Sequence, residues 1–330
     1  VSEFYRGKRV LITGGLGFIG SNLAVRLTEH GARVLLVDSM IPAYGATLRN
    51  IEPIKTRVRV NFSDVRDQYS LSYLVRGQEL VFSLAGQVSH HESMSDPMTD
   101  LDINCRSQLS LLECCRRSNP AVRIVFASTR QIYGRPRYLP VDERHPLAPV
   151  DVNGINKLAA EMYNSLYHSV YGIETVSLRL TNTYGPRMDL CNHNKGFAGV
   201  FLRKALRGEK IQVYGTGRQR RDFNHVDDVV DALLLAGERD ATQGQVFNLG
   251  HPEPASLLEF LATLRKFADF EYELVPFPAE AAAIDIGDYF GDFRKFHEAA
   301  GWTPRIGLEA GLENTIGYFR EFGIAGEAEG

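Results

Sequence analysis

The chain has 330 residues, 44% hydrophobic and 23% charged, the composition of an ordinary globular protein with material for one large domain or two modest ones. A net charge of −3 and a pI near 6.3 leave no basic surplus for nucleic acid, and no apolar run approaches the ~18 residues of a membrane span. The opening VSEFYRGKRV lacks the apolar core of a secretion signal. Cys105, Cys114, Cys115 and Cys191 form neither a CxxC pair nor a zinc spacing. The expectation is a cytoplasmic protein with reduced thiols and no bound metal.

The first predicted strand, Arg9–Thr13, runs into the loop GGLGFIG and then a helix over Ser21–Glu29. Gly14, Gly17 and Gly20 follow a GxxGxxG spacing. Glycines there permit a tight turn and close backbone approach to a pyrophosphate, whose charge sits at the helix N-terminus. The second strand, Arg33–Asp38, ends in an acid that can accept both ribose hydroxyls and would repel a 2′-phosphate, which favours NAD over NADP. Further strands are predicted at Val58–Phe62, Leu80–Leu84, Arg123–Ser128 and Thr175–Leu180, with helices at Asp100–Arg117 and Ile155–Val170. This alternation predicts an α/β fold, a Rossmann-type doubly wound parallel sheet. Beyond Leu180 glycine and proline become frequent, with helices at Gly199–Arg207 and Leu257–Phe267. That change of texture predicts a smaller mixed α/β C-terminal lobe covering the strand C-termini. The expected division is residues 1–182 as an NAD-binding domain to which 223–250 return, 183–222 and 251–325 as a substrate lobe, and 326–330 as a tail.

In this order the motifs resemble the extended short-chain dehydrogenase/reductases, specifically the NAD-dependent nucleotide-sugar epimerase/dehydratase family. The resemblance is carried by TGGLGFIG, by DVRD at Asp64–Asp67, by LAGQ at Leu84–Gln87 and by FASTRQIYG at Phe126–Gly134. It continues through LRLTNTYGPR at Leu178–Arg187 and GTGRQRRDFNHVDDVVDA at Gly215–Ala232. It implies cofactor contacts from Gly14, Gly17, Phe18, Ile19, Gly20, Asp38, Ser39, Asp64, Val65, Leu84, Ala85, Gly86 and Gln87. Asn104 would support the active-site helix and count with the cofactor contacts, and Lys157 would hold the nicotinamide ribose. Thr129 would bond the sugar hydroxyl being oxidised, and Asn182 and Arg221, with Arg187 assisting, would hold the diphosphate. The implied ligands are NAD and a nucleotide-diphosphate sugar. The helices at Asp100–Arg117 and Ile155–Val170 would pair in a homodimer.

Three departures bear on the chemistry. In NGINK the family's tyrosine, four residues before Lys157, is Asn153, and an amide has no titration near pH 7. The two positions after Thr129 are Arg130 and Gln131, where water-eliminating relatives carry Asp-Glu and decarboxylating relatives a Glu. An arginine expected about ten residues before Gly291–Asp292 is missing from Ala281–Ala283, which shifts recognition to Arg221, with Arg187, Arg218 or Arg220 assisting. The expected reaction is therefore NAD-dependent nucleotide-sugar epimerisation through a transient keto sugar. The alternatives are a dehydratase or lyase working through a 4-keto intermediate, and a non-catalytic NAD or nucleotide-sugar binding protein. For the displaced acid/base, Lys157 or a water held by Asn153 ranks first, and His90 and His91 second, since an imidazole titrates near neutral pH. Tyr133 is read as turn packing.

Overall fold

Each of the six predicted strands forms: β1 (Arg9–Thr13), β2 (Arg33–Val37), β3 (Arg59–Asn61), β4 (Leu80–Ser83), β5 (Arg123–Thr129) and β6 (Glu174–Leu180). The structure, a computed structural model, describes residues 2–41, 44–191 and 196–324; the tail expected at 326–330 lies outside them. A seventh strand, Val246–Asn248, pairs with β6, and the sheet runs Val246–Asn248, β6, β5, β4, β1, β2, β3 with every pairing parallel. β1 and β4 are buried along almost their whole length, as a sheet covered by helices on both faces requires. The strand order reverses at β1, between β2 and β4. A crevice opens there at the C-terminal ends of the strands, where open α/β sheets bind ligands.

The main core joins β1, β4 and β6 to two helices, Phe18–Glu29 and Val226–Glu238. Arg26 Nη1 reaches Asp231 Oδ1 between these helices at 2.8 Å. A second apolar cluster, with Tyr184, Phe201, Phe223, Phe260 and Phe319, lies beyond the sheet. It is framed by two parallel strand pairs, Asn182–Tyr184 with Phe223–His225 and Ile211–Tyr214 with Tyr272–Val275. No helix among the described residues is long and apolar enough to cross a membrane.

Two helices differ from expectation in ways that matter for the site. The Asp100–Arg117 helix is broken into Pro97–Leu101, a widened π turn at Asp102–Arg106, and Ser107–Ser118. The helix expected from Ile155 starts earlier, at Val152, because Asp151 caps it: Asp151 Oδ1 accepts the Gly154 N–H at 2.7 Å. It ends at Gly172, whose φ of +69° suits glycine.

Candidate active site

The glycine loop closes around backbone, with no space for side chains. A Cβ on Gly20 would lie 2.2 Å from Gly14 O, and one on Gly14, at φ +69°, would lie 2.9 Å from Ala85 backbone. Thr13 Oγ1 accepts the N–H groups of Leu84 (3.1 Å) and Ala85 (3.2 Å), tying the loop to the end of β4. Gly17 caps the Phe18–Glu29 helix with no side chain over its first N–H groups, so the helix N-terminus faces the crevice open to an anion. At the end of β2, Asp38 accepts Leu16 N–H at 3.0 Å and Met40 N–H at 2.9 Å. Burial lifts its pKa, opposed by those two bonds. These features fit a dinucleotide: a backbone cradle with its diphosphate at a helix end, and a fixed carboxylate one strand away.

Around this cradle runs a cleft of about 750 Å³. It is lined by Gly14, Gly17, Phe18, Ile19, Gly20, Asp38, Ser39, Asp64, Val65, Leu84, Ala85, Gly86 and Gln87, and by Thr129, Asn153, Lys157, His90, His91, Asn182 and Arg221. The Asp64 carboxylate is bridged by Arg66, which holds its pKa below the usual range.

Lys157 and Asn153 sit one turn apart on the Val152–Tyr171 helix, both buried. Lys157 Nζ donates to Ala127 O at 3.1 Å and stands 5.0 Å from the Phe126 ring centroid. Burial brings its pKa down to about 8, opposed by Asp100. Gly86 packs closely beside it: a Cβ there would lie 3.0 Å from Nζ and 2.9 Å from Asn104 Oδ1, so either side chain would have to shift. Asn153 Nδ2 donates inward, to Gln87 O at 2.8 Å and Asp100 Oδ2 at 3.1 Å. Thr129, at the end of β5, takes the Gln131 N–H on its Oγ1 at 3.3 Å.

At the other end of the cleft, Arg130 Nη2 donates to Asn182 Oδ1 at 3.1 Å, and Asn182 Nδ2 donates to Asp222 O at 3.0 Å. Arg221 is buried, bonded to the carbonyls of Arg220 and Gly287 and 3.6 Å from Asp285 Oδ1. Burial, then the neighbouring Arg130, brings its pKa down to about 10. Two guanidinium groups in electrostatic contact, both in the cleft wall, create an attraction for an anionic ligand.

Several expectations are corrected. Arg187 is not in the cleft lining: its Nη1 donates to Asn22 Oδ1 at 2.8 Å and its Nε to Asn50 O at 3.0 Å, so it ties the loop after Asn182–Tyr184 to the Phe18–Glu29 helix and the Leu48–Ile54 turn. Arg218 and Arg220 also lie outside the lining; Arg220 is spent on Pro254 O. Asn104, in the π turn, is buried behind the lining, where its Nδ2 donates to Gln87 O at 2.9 Å and Asp100 Oδ2 at 3.0 Å. It can reach a ligand only by positioning the Gln87 segment. Tyr133 is buried with its hydroxyl donated to Asn248 Oδ1 at 2.7 Å, the packing role expected of it.

The sequence reading missed Asp151 and Asp100. Asp151 carried only the signal of a helix cap, and Asp100 was one acid among many in a helical run. The structure places the Asp151 carboxylate, 0% exposed, 3.1 Å from His90 Nδ1. Gln131 Nε2 lies 3.0 Å from the same Asp151 oxygen and 3.2 Å from His90 Nδ1.

A seven-stranded parallel sheet with an NAD-type cradle at its reversal point defines a dinucleotide-dependent enzyme of the Rossmann kind. More narrowly, residues 10–250 match the NAD dependent epimerase/dehydratase family, and the chain belongs to it. It is an enzyme of this family with NAD as its cofactor. UDP-glucuronic acid decarboxylase 1 of Xenopus tropicalis is 32% identical over 321 residues, covering 95% of this chain and 72% of that protein. The crystal structure of the Thermotoga maritima UDP-glucose 4-epimerase with UDP-glucose superposes with a TM-score of 0.85 at 31% identity, covering 95% and 99% of the two chains. The Thermus thermophilus UDP-glucose 4-epimerase in complex with NAD gives 0.84 at 30% identity, covering 94% and 99%.

Proposed function

We propose that the protein is a nucleotide-sugar epimerase that works through a transient keto sugar. The observation that carries this is the wall beside Thr129. The two residues after it are Arg130, bonded to Asn182, and Gln131, bonded to Asp151. Water elimination across C5–C6 or loss of a carboxyl group would call on carboxylates at these positions, and neither is one. What the cleft retains is a hydroxyl at Thr129, a cation at Lys157 and the glycine cradle in the same lining.

In this reading the helix N-terminus after Gly17 receives the pyrophosphate, with the N–H groups of Phe18 and Ile19. Asp38 and Ser39 receive the adenosine ribose. Asp64 and Val65 lie along the adenine, and Leu84 to Gln87 along the nicotinamide half. NAD supplies a reversible hydride acceptor for the sugar carbinol, so no net redox change follows. Lys157 binds the nicotinamide ribose and keeps the local potential positive. Thr129 orients the reacting hydroxyl, and Asn182 and Arg221 hold the sugar-nucleotide diphosphate, Arg221 as a charge-assisted clamp.

The 32% identity to a decarboxylase favours one other reading, a lyase using the same keto intermediate. Incubation with a panel of UDP-, CDP-, GDP- and dTDP-hexoses and the corresponding nucleotide hexuronic acids, with products read by NMR, separates the two. Inversion at one carbon supports the epimerase; a deoxy-keto sugar or loss of carbon dioxide replaces it with the lyase. A protein that binds nucleotide sugars without converting any is the non-catalytic alternative.

A homodimer is part of the proposal. Ile155, Met162, Leu166 and Val170 project from one side of the Val152–Tyr171 helix and are 48–63% exposed. Met94 and Met98 are exposed on the two short helices packed beside it.

A further inference from the structure

Asn153 cannot carry a proton, and its amide nitrogen is committed to Gln87 and Asp100. The epimerase reading, on which this inference rests, needs a group that takes a hydroxyl proton and returns it. The cleft lining also holds Tyr44, Lys204 and Tyr214, but the titratable side chains carried by the Asn153 helix and the segment after β4 are Lys157, His91 and His90. Lys157 Nζ is turned to Ala127 O beneath the Gly86 segment. His91 is exposed, with no hydrogen-bond partner among the described residues to hold its ring.

His90 is held. It opens the short helix His90–Ser95, lines the cleft and is one-third exposed. Its Nδ1 meets a carboxylate that is itself fixed from three sides: Asp151 Oδ1 takes the Gly154 N–H, and Oδ2 takes Gln131 Nε2 and faces His90. Its Nε2 has no partner among the described residues. We propose that His90, oriented by Asp151, is the proton carrier that takes the place of the missing tyrosine.

The chemistry balances. As the sugar C–H hydride passes to the nicotinamide, the O–H bond breaks, its electron pair forms the carbonyl, and the proton goes to His90 Nε2. Return of the hydride to the other face of the carbonyl takes the proton back. Asp151 is the positioning residue: in the proposed tautomer it accepts Nδ1–H while Gln131 Nε2, 3.2 Å from the same nitrogen, donates to Asp151. This leaves His90 Nε2 as a base, and the Asp151 charge stabilises the imidazolium that forms. Burial opposes ionisation of Asp151, but the bonds from His90, Gly154 and Gln131 hold its pKa below the usual carboxylate value. Of the other charged or titratable groups, His91 and Glu92 follow His90 on its own helix, and Arg130, from the turn after β5, is in electrostatic contact with Asp151. The positioning residue lies beside the substitution, since Asp151 stands two residues before Asn153.

Two variants test this, Asp151→Asn and His90→Gln. Asparagine caps helices as well as aspartate, so Asp151→Asn retains the start of the Val152–Tyr171 helix. The first readout needs no turnover: histidine ¹⁵N NMR of the full chain with NAD should show neutral His90 protonated on Nδ1 in the wild type. In Asp151→Asn that preference should be lost. The second is kcat on whichever member of the nucleotide-hexose panel the wild type converts. His90→Gln is expected to lower kcat about 100-fold or more with KM within threefold. Asp151→Asn should lower it at least tenfold and displace the kcat–pH profile. A wild-type His90 protonated on Nε2, or a His90→Gln enzyme within threefold of wild-type kcat, overturns the proposal and returns the proton to Lys157 or a water. A wild type that converts no sugar nucleotide overturns the epimerase reading itself, a different result from loss in the variants alone.

Discussion

Asn153 Nδ2 lies 3.1 Å from Asp100 Oδ2, an oxygen that also takes Asn104 Nδ2 at 3.0 Å, while Asp100 Oδ1 takes Asn156 Nδ2 at 2.8 Å. One buried carboxylate thus collects three asparagines from the π turn and the Val152–Tyr171 helix. Asn153→Ala removes one of two side-chain donors from Asp100 Oδ2 and from Gln87 O, each of which keeps Asn104 Nδ2. A net hydrogen bond contributes about 0.5–1.5 kcal/mol, and chemical denaturation should show a loss of stability of about that size.

Lys157 gives a pH signature. Its folded pKa of about 8 is below the ~10.4 of an unfolded lysine. Between those values the unfolded chain holds a proton that the folded one does not, so this residue's contribution to stability rises with pH. Below about pH 8 both states are protonated and the full cost of burying the ammonium remains. The stability of the wild type relative to Lys157→Met should therefore increase by up to roughly 3 kcal/mol from pH 7 to 10.5, as measured by urea denaturation of the two proteins in parallel.

The glycine loop predicts a selective loss of cofactor. A methyl group on Gly20 would meet Gly14 O at 2.2 Å, so the loop must open to accept it. Gly20→Ala should lose at least tenfold in NAD affinity by isothermal titration and cost about 1–3 kcal/mol through overpacking.

The exposed stripe on the Val152–Tyr171 helix predicts the assembly. Met162, 63% exposed, lies midway along it. If this face meets a second copy, Met162→Glu places two carboxylates in an apolar contact, and sedimentation should show a dimer become a monomer with the NAD site intact.

The sheet was legible in the sequence because parallel strands buried on both faces leave short β-branched runs, and β1 ends where its glycines begin. The cradle was legible for a related reason: close approach to a ligand permits only glycine, and the spacing survives in the chain. The break at Asp102–Arg106 was not, because a single π turn barely disturbs the apolar rhythm of the helix around it. Arg187 shows the limit of a motif, which gives position in the chain but not direction. With φ at +68°, its side chain turns to Asn22 and Asn50, away from the ligand. The meeting of His90 with Asp151 was also out of reach, since pairing between residues far apart in the chain leaves no local pattern. Asp151 went unread even as a helix cap, since the helix was expected only from Ile155, while it starts at Val152.

The reaction itself is tested most directly by following one accepted nucleotide hexose in deuterated water by NMR. The account predicts a reversible mixture of two hexoses inverted at a single carbon, with every carbon and oxygen retained and no lasting accumulation of reduced cofactor. A product that has lost water, or NADH formed in proportion to substrate consumed, would contradict it.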